Sequence, residues 1–317
     1  MITAIGDLHI EKLEHIIPGA YKKILSTFDR VVEREIENGA SAIVQLGDAF
    51  HTAYPDQIYT SAFLESIVRA NKIPIFLIPG NHDYDDPKHY ALRTLRYLFR
   101  IGLLKGKVFL KPEVITIDGD KYLFCPHPHV VNDPPKGVRM CFGHFGYEGA
   151  RGDNGYIIKS GNAPRGRWTL GDYHTAQRGK NYAYPGSLTQ VGFHEDPKKY
   201  IIRLTDKTEM TRISPDLKLG RATINSEADF EALDTDTYWS VNISSKFKLP
   251  PDWAVKYPHI VRHHTEKDTN KRQRVLMQQV ASENPLEGFR DYLLDEGLSQ
   301  KETNRTLQLL GVKECSN

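Results

Sequence analysis

Five short polar clusters follow one another across the first 174 residues: Gly6-Asp7-Leu8-His9, Gly47-Asp48-Ala49-Phe50-His51, Gly80-Asn81-His82-Asp83, Gly143-His144-Phe145 and Gly171-Asp172-Tyr173-His174. Each sets oxygen or imidazole donors beside a glycine. Asp7, His9, Asp48, Asn81, His144, Asp172 and His174 suit a centre that holds two divalent ions. Hydrolysis of a phosphate ester needs an activated water, neutralised phosphoryl oxygens and help for the leaving group; two ions about 3.5–4 Å apart supply all three. Such a pair needs a bridging carboxylate, and Asp48, after a central strand, is the best candidate. Asp7 and His9, two residues apart on an extended segment, point the same way and can share one ion. Asn81 offers a neutral amide oxygen, and His144, Asp172 and His174 complete the shell. A donor set of oxygen and nitrogen without thiolate favours Mn²⁺, Fe²⁺ or Mg²⁺ and leaves Zn²⁺ open. His82, beside Asn81, reads as a general acid that protonates the leaving oxygen, held by a neighbour. A lone Asp-x-His or a lone interior histidine would mean nothing; the ordered series carries the reading.

The elements that must position these groups are short. Ile2-Thr3-Ala4-Ile5, Ala42-Ile43-Val44-Gln45-Leu46, Pro74-Ile75-Phe76-Leu77-Ile78 and Met140-Cys141-Phe142 precede polar clusters and read as buried strands. The polar residues then lie at strand ends, the rim where layered α/β proteins bind ligands. Apolar residues at helical spacing predict helices over 21–38, 57–71 and 89–104. From Val108 the pattern turns to strands, at 114–117, 122–125, 139–142, 168–171 and 200–204. The expected closure is a mixed sheet or two stacked sheets sandwiched by helices. Between His144 and Gly171 runs a glycine-rich, basic loop, expected at the mouth of the site; Arg151, Arg165 and Arg167 are its candidate substrate contacts.

A chain of 317 residues can bury a sizeable core. The formal charge of +2 gives no global signal for nucleic acid, so any such signal is local. Apolar stretches fall short of a membrane span, no signal-peptide pattern opens the chain, and Cys125, Cys141 and Cys315 are widely spaced. Buried thiols in a reducing cytoplasm are expected. The clusters end before Ser214, which suggests a catalytic domain over 1–213, a small α+β appendage over 214–274 and two helices over 275–317. Ser226 should cap a short helix, with strands at 238–243 and 259–263. Lys246, Lys248, Lys256, Arg262, Lys267, Lys271, Arg272 and Arg274 fit either a nucleic-acid surface or an ordinary solvated face. The terminal hairpin has an apolar face that packs on its own domain or docks a partner.

Taken together, the clusters resemble the signature of the calcineurin-like metallophosphoesterases. Gly47-Asp48-Ala49-Phe50-His51, with Tyr184-Pro185-Gly186-Ser187-Leu188 and Gly192-Phe193-His194-Glu195, is similar to the SbcD-type nuclease subunits of double-strand-break repair complexes and their phage counterparts. The resemblance covers about residues 1–205; beyond that, only element order and size agree. It implies a four-layer α/β/β/α sandwich with a small α+β capping domain and a C-terminal helical hairpin. Asp7, His9, Asp48 and His174 would hold one metal, and Asp48, Asn81, His144 and Asp172 the other. His82 would be catalytic, with His51 orienting it. The family usually has histidine where this chain has Asp172, which makes the second site more anionic or repurposes it. The implied activity is a Mn²⁺-dependent DNA nuclease for recombination and repair, a 3′–5′ exonuclease with endonucleolytic cutting left open. It would work as a homodimer with an SMC-like ATPase subunit of the SbcC type, bound by the C-terminal helices, in a bacterial cytoplasm or, if phage-encoded, that of a host. Two other readings stand beside it: a lone phosphodiesterase or phosphatase on nucleotides or phosphoproteins, and a DNA-end-binding pseudoenzyme weakened at Asp172.

Overall fold

Ile2–Ile5 (β1) and Ala42–Gln45 (β2) are buried at every position, because both faces of their sheet are covered. The computed structural model describes residues 1–153, 155–159, 161–248 and 251–265. Between and after these strands come α1 (Ala20–Glu37), α2 (Gln57–Arg69), β3 (Ile75–Leu77), α3 (Arg93–Arg100) and β4 (Gly106–Val108). Strands alone follow: β5 (Glu113–Ile117), β6 (Asp120–Cys125), β7 (Val138–His144), β8 (Trp168–Gly171), β9 (Gln177–Arg178), β10 (Tyr182–Tyr184), β11 (Lys199–Leu204) and β12 (Thr208–Ile213). The described chain ends with β13 (Leu219–Ile224), α4 (Glu227–Glu231), β14 (Tyr238–Ile243), α5 (Trp253–Lys256) and β15 (Ile260–Thr265).

Two six-stranded sheets form, in the orders β12-β11-β1-β2-β3-β4 and β5-β6-β7-β8-β10-β9. Alternation along each strand makes the layers. Ile2, Ala4, Val44 and Phe76 from the first sheet meet Tyr122, Phe124, Met140 and Phe142 from the second in one apolar core. Thr3, pointing the other way, hydrogen-bonds Glu35 of α1 at 3.1 Å, which places the helical layer on the first sheet's outer face. Leu123, Cys125, Cys141, Trp168 and Leu170 face outward from the second sheet and pack with Phe145, Tyr147 and Ala150. The expected α/β sandwich is what forms. Among the described residues, the second sheet's outer layer is built by the long non-helical segment after β7, whose Tyr147 hydroxyl donates to the Pro164 carbonyl at 3.0 Å.

Register sets up the site. β1, β2 and β3 are neighbouring and parallel, with Ile5 opposite Gln45 and Gln45 opposite Leu77. β7 and β8 are also parallel, with His144 opposite Gly171. Parallel neighbours end at one edge, about 4.8 Å apart, so the five polar clusters emerge side by side. Phe50 then ties the second cluster to the helices: its ring meets Phe63 of α2 at 5.6 Å, and Phe63 meets Phe28 of α1 at 5.7 Å.

Two compact units divide the chain: Met1–Arg221 with Asp234–Ser240, and Ala222–Leu233 with the chain from Val241. In the second, the Asp229 carboxylate accepts the Ser226 backbone N–H at 2.9 Å and so caps α4, as the sequence predicts. Phe230 of α4 stacks on Tyr257 with ring centres 4.9 Å apart. Lys256 pairs with Glu227 at 2.8 Å, whereas Lys267, Lys271, Arg272 and Arg274 lie outside the described residues, as do the segments where two terminal helices are expected and Cys315. Cys125 and Cys141 are free and buried. No helix among the described residues is long and apolar enough to cross a membrane.

Candidate metal centre

Backbone strain marks the strand ends. Among the described residues, His9, Asp48, Asp118 and Asp172 are the non-glycine residues with positive φ, at 46°, 51°, 51° and 101°. Asp118 sits beside Gly119 in the β5–β6 hairpin, where such a turn is ordinary. The other three are candidate ligands, held in a conformation that side chains rarely adopt because their surroundings enforce it. The adjoining glycines are required by close approach: a Cβ on Gly80 would collide with the Asp48 carboxylate, and one on Gly171 with the Leu46 carbonyl.

The donors converge in two groups that meet at Asp48. In the first, His9 Nε2 and His174 Nε2 face each other at 3.0 Å. Asp48 Oδ2 lies 3.6 Å from His9 Nε2, and Asp7 Oδ2 lies 3.8 Å from His174 Nε2. In the second, His144 Nε2 stands 2.9 Å from Asn81 Oδ1, 3.5 Å from Asp48 Oδ1 and 3.9 Å from Asp172 Oδ1. All three histidines are anchored through Nδ1, which leaves Nε2 aimed inward. His144 Nδ1 bonds the Leu46 carbonyl at 2.7 Å, His174 Nδ1 the Glu195 carboxylate at 3.0 Å, and His9 Nδ1 meets His51 Nδ1 at 3.3 Å. That is how ligating imidazoles are held. The donor chemistry fits a pair of divalent ions.

Electrostatics agrees. Burial pushes the Asp7 carboxyl up to about 7, opposed by His144. Burial works against charge on His144 and His174, yet Asp48 beside the first and Glu195 beside the second hold both imidazoles above their ordinary value. Burial likewise opposes Asp48, and the adjacent His144 and His9 drive its carboxyl down. His9 is the exception: burial drives it well down and Asp48 only partly offsets this. A cage with so many buried carboxylates is built to hold positive charge.

A family model for calcineurin-like phosphoesterases matches residues 1–197. The chain belongs to that family. Its members bind divalent metals and hydrolyse phosphate esters. Over 109 residues the chain is 28% identical to a DNA double-strand break repair protein Mre11 of Archaeoglobus fulgidus, covering 33% of this chain and 25% of that one. Over 222 residues it is 23% identical to the Methanopyrus kandleri protein of the same name, covering 60% of this chain and 49% of that one. The chain thus spans a quarter to a half of these relatives' lengths. Among solved structures, TT1561 of Thermus thermophilus superposes with a TM-score of 0.43 at 13% identity, over 67% of this chain and 97% of that one.

Two further histidines stand beside this pair of clusters. His82 Nδ1 is 3.1 Å from the His51 carbonyl oxygen, and the two rings stack with centres 4.5 Å apart. His51 therefore meets His82 through its backbone and ring face, while its ring nitrogen goes to His9. The loop arginines are placed differently. Arg165 and Arg167 precede β8, whereas the clusters lie beyond its other end; Arg165 is exposed and pairs with Asp133 at 3.3 Å. Arg151 bonds the Gly155 carbonyl at 3.2 Å. What the loop brings to the centre is Asp153, whose carboxylate accepts the His174 backbone N–H at 2.9 Å.

Three supporting residues were not singled out by sequence reasoning. Asp83 accepts the backbone N–H groups of Phe50, Ala49 and Gly80 at 2.7, 3.0 and 3.2 Å, which clamps the second cluster to the third. Its place in Gly80-Asn81-His82-Asp83 was the available signal. Glu195 closes the run Gly192-Phe193-His194-Glu195, and nothing in the sequence pairs it or Asp153 with His174.

Proposed function

We propose that the chain hydrolyses phosphodiester bonds of DNA with two divalent ions. Asp7, His9, Asp48 and His174 hold one ion; Asp48, Asn81, His144 and Asp172 hold the other. The observation that carries this reading is the division of Asp48: one carboxylate oxygen lies toward His9 and the other toward His144. Mn²⁺ suits the mixed oxygen and nitrogen donors, with Mg²⁺ or Fe²⁺ as substitutes. When bound, the ions supply an activated water and neutralise the phosphoryl oxygens.

The chain's own residues do the rest. His82, fixed through Nδ1 by the His51 carbonyl, keeps Nε2 for the proton given to the leaving oxygen. His51 keeps that ring in place by stacking and holds His9 through its own Nδ1. Asp83 fixes the spacing between Asp48 and His82. Relatives named for DNA double-strand break repair support DNA as the substrate. The resemblance extends the proposal: residues 214–274 cap the site and contact DNA, residues 275–317 dock an SMC-like ATPase, and the chain acts as a homodimer in recombination or repair.

The test is cleavage of linear double- and single-stranded DNA with Mn²⁺, Mg²⁺ or chelator, beside bis-p-nitrophenyl phosphate. Metal-dependent shortening of DNA, absent in His82→Ala, is expected. Hydrolysis of the small diester with DNA untouched, even after a partner ATPase is added, would replace the nuclease by a small-molecule phosphodiesterase.

A further inference from the structure

A cleft of about 830 Å³ opens in the first unit, lined by Arg30, Arg34, Arg212, Lys218, Arg221 and Trp239. Some of this charge is already used. Arg30 pairs with Asp216 at 2.7 Å, and Arg34 lies 3.0 Å from Glu35, which Arg203 also engages with two bonds of 2.7 Å. Hydrogen bonds from Thr237 and Asp236 lower the Asp234 carboxyl, and the Lys218 charge adds to this. Arg212 and Arg221 are exposed and have no ion-pair partner among the described residues. The acidic wall of the cleft, Glu195, is buried and neutralised by Lys199 at 2.9 Å. The cleft therefore keeps an excess of cationic groups. Trp239 adds a half-buried ring, its indole N–H tied to the Asp234 carbonyl at 2.9 Å.

We propose that this cleft binds a nucleoside phosphate, its phosphate on Arg212 and Arg221 and its base against Trp239. Guanidinium groups match phosphate oxygens in pairs, and an aromatic ring stacks any base. The volume is that of a small-ligand site. None of the candidate metal ligands lines the cleft, which adjoins the metal centre through Glu195: that side chain lies in the cleft wall and bonds His174 at 3.0 Å. A free nucleotide and one unit of a single strand offer the same chemistry there, and binding needs no metal ion.

The experiment uses the full chain, stripped of metal and dialysed free of chelator. Deoxyadenosine monophosphate, deoxyadenosine, inorganic phosphate and a short single-stranded oligonucleotide are titrated by calorimetry. Deoxyadenosine monophosphate should bind about tenfold or more tightly than deoxyadenosine or inorganic phosphate, which corresponds to about 1.4 kcal/mol for one lost set of contacts. Arg212→Ser with Arg221→Ser, and separately Trp239→Leu, should each weaken it by a similar factor. Arg221→Ser alone, at an exposed position, should weaken binding in the same direction and serves in case the pair fails to fold. Binding of the oligonucleotide in place of the mononucleotide would identify a strand as the source and support the site. Equal affinity for inorganic phosphate, unchanged binding in the Arg212 and Arg221 variant, or no binding to the wild type would each overturn it.

Discussion

On the His9 side of Asp48, two imidazole nitrogens stand 3.0 Å apart and both side chains are tied from behind. On the His144 side, one imidazole meets an amide oxygen at 2.9 Å and a carboxylate oxygen at 3.9 Å. Exposure differs as well: the Asp172 side chain keeps 27% of its surface, and that of His9 keeps 1%. One half is nitrogen-rich and closed, the other oxygen-rich and open. The contrast teaches that this centre is asymmetric by construction. The open half suits exchange of ions and substrate, and its oxygens favour harder cations.

The largest effect should come from the group that joins the halves. Asp48→Ala is expected to lose both ions together and to fall to background hydrolysis, measured as metal content per chain beside turnover. A variant that keeps one tightly bound ion would exclude Asp48 as the bridge. His82→Ala should lower turnover by about 10²–10⁴-fold while metal content stays at the wild-type level. Normal cleavage by that variant would remove His82 from the chemistry.

Smaller changes separate the halves. Glu195→Gln should weaken metal binding about 10–100-fold in the nitrogen-rich half alone, because Glu195 orients His174. Chelator titration would show one ion released earlier and the other unchanged; equal loss of both contradicts the asymmetry. Asp172→His should leave the His9 side intact and shift the other half from Mg²⁺ toward Zn²⁺, read by metal competition. An unchanged preference would show that Asp172 does not reach the ion.

The smallest effect lies away from the site. Burial alone would raise the Glu35 carboxyl, but the paired Arg203 guanidinium outweighs it and holds the group below 4.5. A depressed carboxyl contributes stability above its unfolded value and loses it as pH falls through the folded one. Thermal stability should therefore decline as pH falls below about 4.5, and Glu35→Gln should flatten that limb without altering metal content. An identical limb in both proteins would sink this assignment.

Much of this molecule was legible because its strands are short, apolar and closed by glycine. The predicted helices at 21–38 and 57–71 appear as Ala20–Glu37 and Gln57–Arg69. The third is shorter than the predicted 89–104, beginning at Arg93, because Asp86 accepts the backbone N–H groups of Lys88 and His89 at 2.6 and 2.9 Å and makes a turn first. Thr208–Ile213 went unread as a strand: among the described residues it pairs only with β11 at a sheet edge, and its half-exposed residues show no clean alternation. The arginines of the long loop were read by charge and proximity in sequence, whereas the direction of β8 puts Arg165 and Arg167 before its far end.

By itself the sequence determined the donor types, their place beside glycines and their order along the chain, since these follow from local residue chemistry and the period of a strand. Only the tertiary structure decided which donors share a group. His9 and His174 meet across 165 residues, and His144 and Asn81 across 63. Those meetings depend on parallel register within two sheets and on the packing between them. No local spacing encodes how far each strand end projects, so the bridging place expected of Asp48 gained its geometry, one oxygen toward His9 and the other toward His144, only in three dimensions.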